Sequence, residues 1–269
     1  MNRRFPTIFA HGLSLALAVV LMLVVSSSNA AIILSTDFNS LSAGATNATA
    51  VDGVTTGGSW TLTASNQEIQ NDQTGNSPAF KALESSAGSN TDGARVDLTS
   101  AFSLSSLSGA DRFEIDLITG TTNGAGYDRD TFWYLRDGDD NALVTVELDD
   151  QNIWVNGTDL GAIVTGNGNT AAVGPTWDSQ DINAITMSFS IDSSAELTFE
   201  ASTANYTRST TVQLDTNDEI QAFNTRWRNS PIGTYIADLQ MATVPEPSTI
   251  VLALFGAAGL FMYRLRKQR

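Results

Sequence analysis

Glu114 and Asp116 lie two residues apart in the segment Arg112 to Ile118, where they alternate with Phe113, Ile115 and Leu117. On a β-strand that spacing puts both carboxylates on one face and the three apolar side chains on the other. Paired carboxylates are the equipment of glycoside hydrolysis, which needs one group as acid and another as base or nucleophile across the scissile bond. Asp137, Asp139, Asp140 and Asn141 form a second cluster, with the alternating oxygen ligands that begin a Ca²⁺ loop. Ala142 stands where such a loop needs glycine, and Leu148 where it needs a bidentate glutamate, so the cluster is not an EF-hand. Asp and Asn tolerate turn geometry and bond their own backbone, which makes a hairpin turn the better expectation. A looser calcium site would draw on Asp37 and Asp238, or on these turn carboxylates. Aromatic rings are the third resource. Trp133, Trp154 and Trp227 are the candidates for stacking on a sugar, with Trp60 and Trp177 behind them. Trp133 and Tyr134 are neighbours on one strand and therefore point to opposite faces.

Absences narrow the chemistry further. The chain has a single histidine, His11, and no cysteine. His11 falls in an N-terminal leader, so the mature body has no Ser-His-Asp triad, no Cys-His pair and no histidine-ligated zinc. Of fourteen basic residues, two sit in the leader and four in the last six positions, which leaves eight against twenty-nine acids and a net charge near −21 with Glu246 included. Such a body repels nucleic acid and anionic membranes, and fits solubility or cation binding.

The elements that would position these residues are strands. Apolar or alternating segments recur at Ile32 to Phe38, Ser59 to Ala64, Ala94 to Leu98, Arg112 to Ile118, Thr131 to Arg136, Ala142 to Leu148 and Ile153 to Val155. They continue at Ala184 to Ile191, Glu196 to Ala201, Thr210 to Leu214, Ala222 to Trp227 and Tyr235 to Met241. No helical period stands out between the two termini. The pattern predicts an all-β, two-sheet antiparallel sandwich over residues 31–243, flanked by an N-terminal signal helix and a C-terminal transmembrane helix. The Asp137-Gly138 pair predicts a hairpin, and with the turn at Asp149 to Asn152 a three-stranded meander. Ser40 to Gly58 and Ser85 to Gly93 read as surface loops.

The termini carry addresses. Residues 1–30 combine Arg3 and Arg4, an apolar stretch from Leu13 to Val25, and Ser28-Asn29-Ala30 before Ala31. That is a secretory signal peptide cut between Ala30 and Ala31, and it implies the Sec machinery. In residues 244–269, Pro245-Glu246-Pro247 precedes an uncharged run of about sixteen residues, from 248 to 263, and a basic end at 264–269. As a helix the run covers about 24 Å, enough for a short membrane span. Its cations stay on the cytoplasmic side, which leaves the body outside.

This tail resembles the PEP-CTERM sorting signal of Gram-negative bacteria. The resemblance implies that an exosortase recognises Pro245, Glu246 and Pro247 and cuts the tail, with transient residence in the inner membrane and a final place at the cell surface or in the extracellular matrix, alongside exopolysaccharide or biofilm. The body, through Leu34 to Asn39, the Trp133 and Trp154 strands and Tyr235 to Met241, is similar to concanavalin and laminin-G jelly rolls. In those folds first and last strands lie side by side, which would bring Asp37 near Asp238. Glu114-Ile115-Asp116 also resembles the catalytic strand of laminarinase-like glucanases, but Thr119 occupies the position of the second glutamate. The expectation is therefore an exported, non-catalytic sandwich that binds extracellular polysaccharide and needs no cofactor beyond calcium. The alternative is a glycan hydrolase or lyase working with carboxylates.

Overall fold

The computed structural model describes residues 30–62, 67–71, 81–85, 92–121, 130–149, 152–163, 185–203, 205–228 and 234–245. The leader, the membrane run and Trp177 lie outside the described residues. Strands follow one another as β1 (Ala31–Thr36), β2 (Gly44–Ala45), β3 (Thr55–Thr56), β4 (Gly58–Leu62), β5 (Gln67–Asn71), β6 (Lys81–Ser85), β7 (Asp92–Ser103), β8 (Asp111–Thr121) and β9 (Asp130–Arg136). They continue as β10 (Ala142–Asp149), β11 (Asn152–Val155), β12 (Thr158–Ala162), β13 (Ile185–Ile191), β14 (Glu196–Ser202), β15 (Thr207–Gln213), β16 (Glu219–Arg228) and β17 (Thr234–Pro245). One sheet has ten strands in the order β15-β14-β13-β8-β17-β6-β5-β2, with β1 on β17 and β3 on β1; the other has seven, β12-β11-β10-β9-β16-β7-β4.

Period-two alternation builds the sandwich. From the ten-stranded sheet Phe113, Ile115, Leu117, Met187, Phe189, Leu197 and Phe199 are buried, and from the other Val96, Trp133, Leu135, Val144, Val146 and Ile153. Phe189 touches rings of both sheets, Phe199 at 5.1 Å and Phe223 at 6.4 Å between centroids. Burying these faces against each other is the main stabilising term in a chain without disulfides. The predicted meander is present: β9 pairs antiparallel with β10, and β10 with β11. First and last strands also pair, with Ser35 opposite Gln240 and Thr36 opposite Leu239.

Between Ser40 and Gly58 the structure corrects the expected loop. Ala48–Asp52 is a helix, α1, whose Asn47 cap accepts from the Ala50 amide at 2.9 Å and whose Val51 is buried. A five-residue helix is shorter than two turns and leaves no period to detect. After it the chain crosses between sheets at Gly57 and Gly58. Gly57 has φ +81°, and a Cβ there would overlap the carbonyl oxygen of Ile33, so only glycine fits. Trp60 follows at once, 3% exposed, edge-on to Phe38 at 5.7 Å. Its indole nitrogen donates to Thr36 Oγ1 at 3.1 Å and Thr55 Oγ1 at 3.0 Å, which ties the crossing together.

Candidate functional site

Strand β9 decides which rings face outward. Trp133 is 1% exposed and points into the core, so it cannot stack on a ligand; this corrects its place among the candidates. Alternation then turns Phe132, Tyr134 and Arg136 to the outer face of the seven-stranded sheet, where each is half-buried. The rings of Phe132 and Tyr134 are nearly parallel, 14° apart with centroids 5.9 Å apart, and the Arg136 guanidinium lies 4.7 Å from the Tyr134 centroid. Three successive outward side chains thus form one stacked row. Cation–π and ring contacts hold it in place.

Neighbouring strands surround the row with polar groups. On β16, Asn224 lies opposite Tyr134 and Arg226 opposite Phe132. On β10, Thr145 lies opposite Tyr134 and Glu147 opposite Phe132, and Trp154 of β11 lies opposite Glu147. Arg136 Nε donates to Asn224 Oδ1, and its Nη1 donates to the Asp140 carbonyl at 2.6 Å. Arg226 is exposed and carries no partner among the described residues. The indole N–H of Trp154 is buried without a hydrogen-bond partner among the described residues, a state that costs about 1–3 kcal/mol. Trp154 stays on this face, half-buried. Trp227 sits on β16 opposite Thr131, and its side chain lies outside the described residues.

The acidic turn serves the framework. Asp137 Oδ1 accepts from the amides of Asp139 at 3.0 Å and Asn141 at 2.7 Å, and its Oδ2 accepts from the Asn141 side chain at 2.9 Å. The Asn141 side-chain bond leads the causes that hold this carboxyl below its ordinary range. Arg95 of β7 grips Asp97 with Nη2 at 2.7 Å and reaches Asp140 with Nη1. The bond to Asp97 is the main reason its guanidinium is held more firmly protonated than usual, with Asp140 adding to it. These carboxylates are occupied by the hairpin and by Arg95.

The other acids lie on the opposite side of the molecule. Glu114 and Asp116 face outward from β8, across from Ser190 and Ser188 of β13, while Phe113, Ile115 and Leu117 are buried as expected. Desolvation raises the pKa of Asp116, and Asp238 of the adjacent β17 raises it further; Glu114 rises by desolvation and by Asp116. Asp238 is raised by desolvation first, opposed by a bond from the Leu239 amide, and raised again by Asp37. Asp37 follows Thr36 where the ladder puts Asp238 next in register, and its Oδ1 accepts from the Asn39 amide at 3.1 Å. Two carboxylates fall short of the six to eight oxygens of a typical calcium site. Among the described residues no three acidic or histidine side chains gather in metal-binding geometry. The two sheets pack face to face, so the acids of one outer face and the aromatic row of the other cannot share a substrate.

The amino-acid alternation in Thr131 to Arg136 was the signal for Phe132, Tyr134 and Arg136. Ring size favoured tryptophan, whereas burial favours the smaller neighbours. Asn224, Arg226 and Glu147 join only through cross-strand register, which no single segment reveals.

The comparisons with known proteins concern the tail and the fold. A family model described as the PEP-CTERM protein-sorting motif matches residues 243–267. The tail is a PEP-CTERM sorting motif. It implies exosortase-dependent export of the chain that carries it. No curated protein matches the chain. Among solved structures, lectin II from Ulex europaeus is similar at 9% identity and TM-score 0.38, covering 70% of this chain and 98% of its own. A carbohydrate esterase of the Shiga toxin-encoding bacteriophage phi24B is similar at 13% identity and TM-score 0.48, covering 81% and 100%. An alginate lyase of polysaccharide lyase family 7 is similar at 9% identity and TM-score 0.44, covering 78% and 94%. Among the described residues no helix is long and apolar enough to cross a membrane, and the run expected to do so lies outside them.

Proposed function

We propose that the protein is a non-catalytic, glycan-binding component of the extracellular polysaccharide matrix, sorted there through its PEP-CTERM tail. On this reading Sec exports the chain and signal peptidase cuts between Ala30 and Ala31. The tail then holds it in the inner membrane until an exosortase processes it at Pro245-Glu246-Pro247. The sandwich binds polysaccharide with the outer face of its seven-stranded sheet. The observation that supports this most is the stacked row of Phe132, Tyr134 and Arg136, half-buried at the centre of that face. Aromatic ring faces suit the C–H faces of sugars, while Arg226 and Glu147 at the surface supply donors and acceptors for hydroxyls, and the buried Asn224 holds Arg136 in place. Catalysis has weaker support, because Glu114 and Asp116 lie on the other outer face, away from the aromatic row. Affinity electrophoresis tests the reading. The body, residues 31–245, is run through gels containing exopolysaccharide purified from the producing cells. Retardation that disappears in the Phe132→Ala, Tyr134→Ala double variant is expected. Equal mobility with and without polysaccharide, or retardation that survives the double variant, sinks this use of the face.

A further inference from the structure

Strands β1 and β17 join the two ends of the sandwich. Ala31 pairs with Thr243 and Ile32 with Ala242; the register then shifts, and Leu34 pairs with Met241, Ser35 with Gln240 and Thr36 with Leu239. The shift leaves Ile33 as a bulge, which separates an end of two pairs from a body of three. The body is anchored by Leu34, Leu239 and Met241, all fully buried. The end is different. Ala31 is exposed, and Ile32 at 55% is the one large apolar side chain among the described residues with such exposure. Pro245 closes β17 and is also the first residue of Pro245-Glu246-Pro247, so the motif starts two positions beyond the last ladder pair.

We infer that the sandwich itself controls access to its sorting segment: the first residues of β1 clip the residues just before the motif, and the processing enzyme acts at that corner by opening the two pairs beyond the bulge. The inference rests on the sorting reading above. A chain held in a ladder has its backbone groups already paired, and a protease needs them free on either side of the bond it attacks. The bulge makes such opening local, because the two end pairs part without disturbing Leu34, Leu239 or Met241. A cut within Thr234 to Thr243 would instead take ladder residues of β17 out of the sheet. Cleavage therefore falls beyond Thr243 and leaves the whole sandwich intact.

Pulse-chase labelling of the full-length precursor in its own cells, with intact mass of the product, tests this. One variant carries Gly-Ser-Gly-Ser inserted after Thr243, which moves the motif away from the ladder and leaves every core residue in place. A second carries the same insertion in the Asp137 to Asn141 turn, far from the corner. The expected product of the unmodified protein ends at Val244 or later. The insertion after Thr243 should speed its appearance about five-fold, the equivalent of roughly one backbone hydrogen bond. The turn insertion should leave the rate unchanged. A product ending at or before Thr243, or equal rates for all three, overturns the inference while leaving sorting intact. A precursor that is never cut overturns the sorting reading itself, and the clip with it.

Discussion

Replacing Trp133 and Tyr134 one at a time separates the core from the binding face on a single strand. Trp133 is 1% exposed and surrounded by core, so Trp133→Ala removes a large buried ring and leaves a cavity, at a cost of about 3–5 kcal/mol. For a domain of this size each kcal/mol lowers Tm by about 2–4 °C, which gives a fall of about 6–20 °C. The Trp133 indole N–H has no hydrogen-bond partner among the described residues, so Trp133→Phe loses packing only and falls less. Tyr134 is half-buried on the outer face, where it touches Phe132 and Arg136. Tyr134→Ala gives up those contacts, about 1 kcal/mol of stability or a few degrees. Its larger effect is on polysaccharide binding, where loss of a central ring at a contact surface costs about 1–2 kcal/mol, or five- to thirty-fold in affinity. Thermal unfolding followed by near-ultraviolet circular dichroism, paired with gel retardation, reads both quantities. The reasoning is refuted if Tyr134→Ala lowers Tm as much as Trp133→Ala, or if Trp133→Phe abolishes binding in a protein that stays folded.

Three further outcomes are expected. Gly57→Ala forces a left-handed backbone, about 1–2 kcal/mol, and also displaces the Ile33 carbonyl, whereas Gly109→Ala, with φ +63° and open space around it, meets only the first cost. Gly57→Ala should therefore lower Tm at least twice as far; equal shifts would contradict the close crossing. Burial and Asp37 hold the Asp238 carboxyl above its ordinary pKa, so Asp238 favours the folded state below the ordinary carboxylate range and loses that contribution as pH rises through its folded value. Asp238→Asn should raise Tm at neutral pH and leave it unchanged near pH 3, roughly where the carboxyl is protonated in both states. A variant equally stabilised at both values would place the effect elsewhere. Asp137 has its carboxyl held low by its turn, so its contribution is present above the ordinary range and is lost as pH falls through the folded value. Asp137→Ala should lower Tm at neutral pH and progressively less in acid, and a shift independent of pH would contradict that assignment.

Much of the architecture was legible because a sandwich writes itself in alternation. Phe113, Ile115 and Leu117 against Glu114 and Asp116 gave the face of β8 directly, and Asp137-Gly138 gave the hairpin. The pairing of β1 with β17 followed from jelly-roll resemblance, and the two strands do pair, with a register shift at Ile33. Other elements left no mark. Strands β5 and β6 lie in polar sequence, β2 and β3 have two residues each, and α1 has five, all too short for periodicity. The candidate site was half legible for a related reason. Alternation places Tyr134 opposite Trp133, but which face becomes core depends on the register of β16 and β10. Register is a long-range property, and the ranking of rings by size chose the inward one.

The central claim is that this chain is an exported sandwich delivered by its tail to a polysaccharide matrix that it binds. Fractionation of producing cells, with intact mass of the protein in each fraction, tests this most directly. The unmodified chain, the triple variant Pro245→Ala, Glu246→Ala, Pro247→Ala, and the double variant Phe132→Ala, Tyr134→Ala are compared. The account predicts a form lacking the C-terminal segment in the matrix fraction for the unmodified chain, a full-length membrane form for the triple variant, and a cut form released into the medium for the double variant. A full-length membrane form in all three, or a matrix fraction unchanged by loss of the aromatic row, would contradict it.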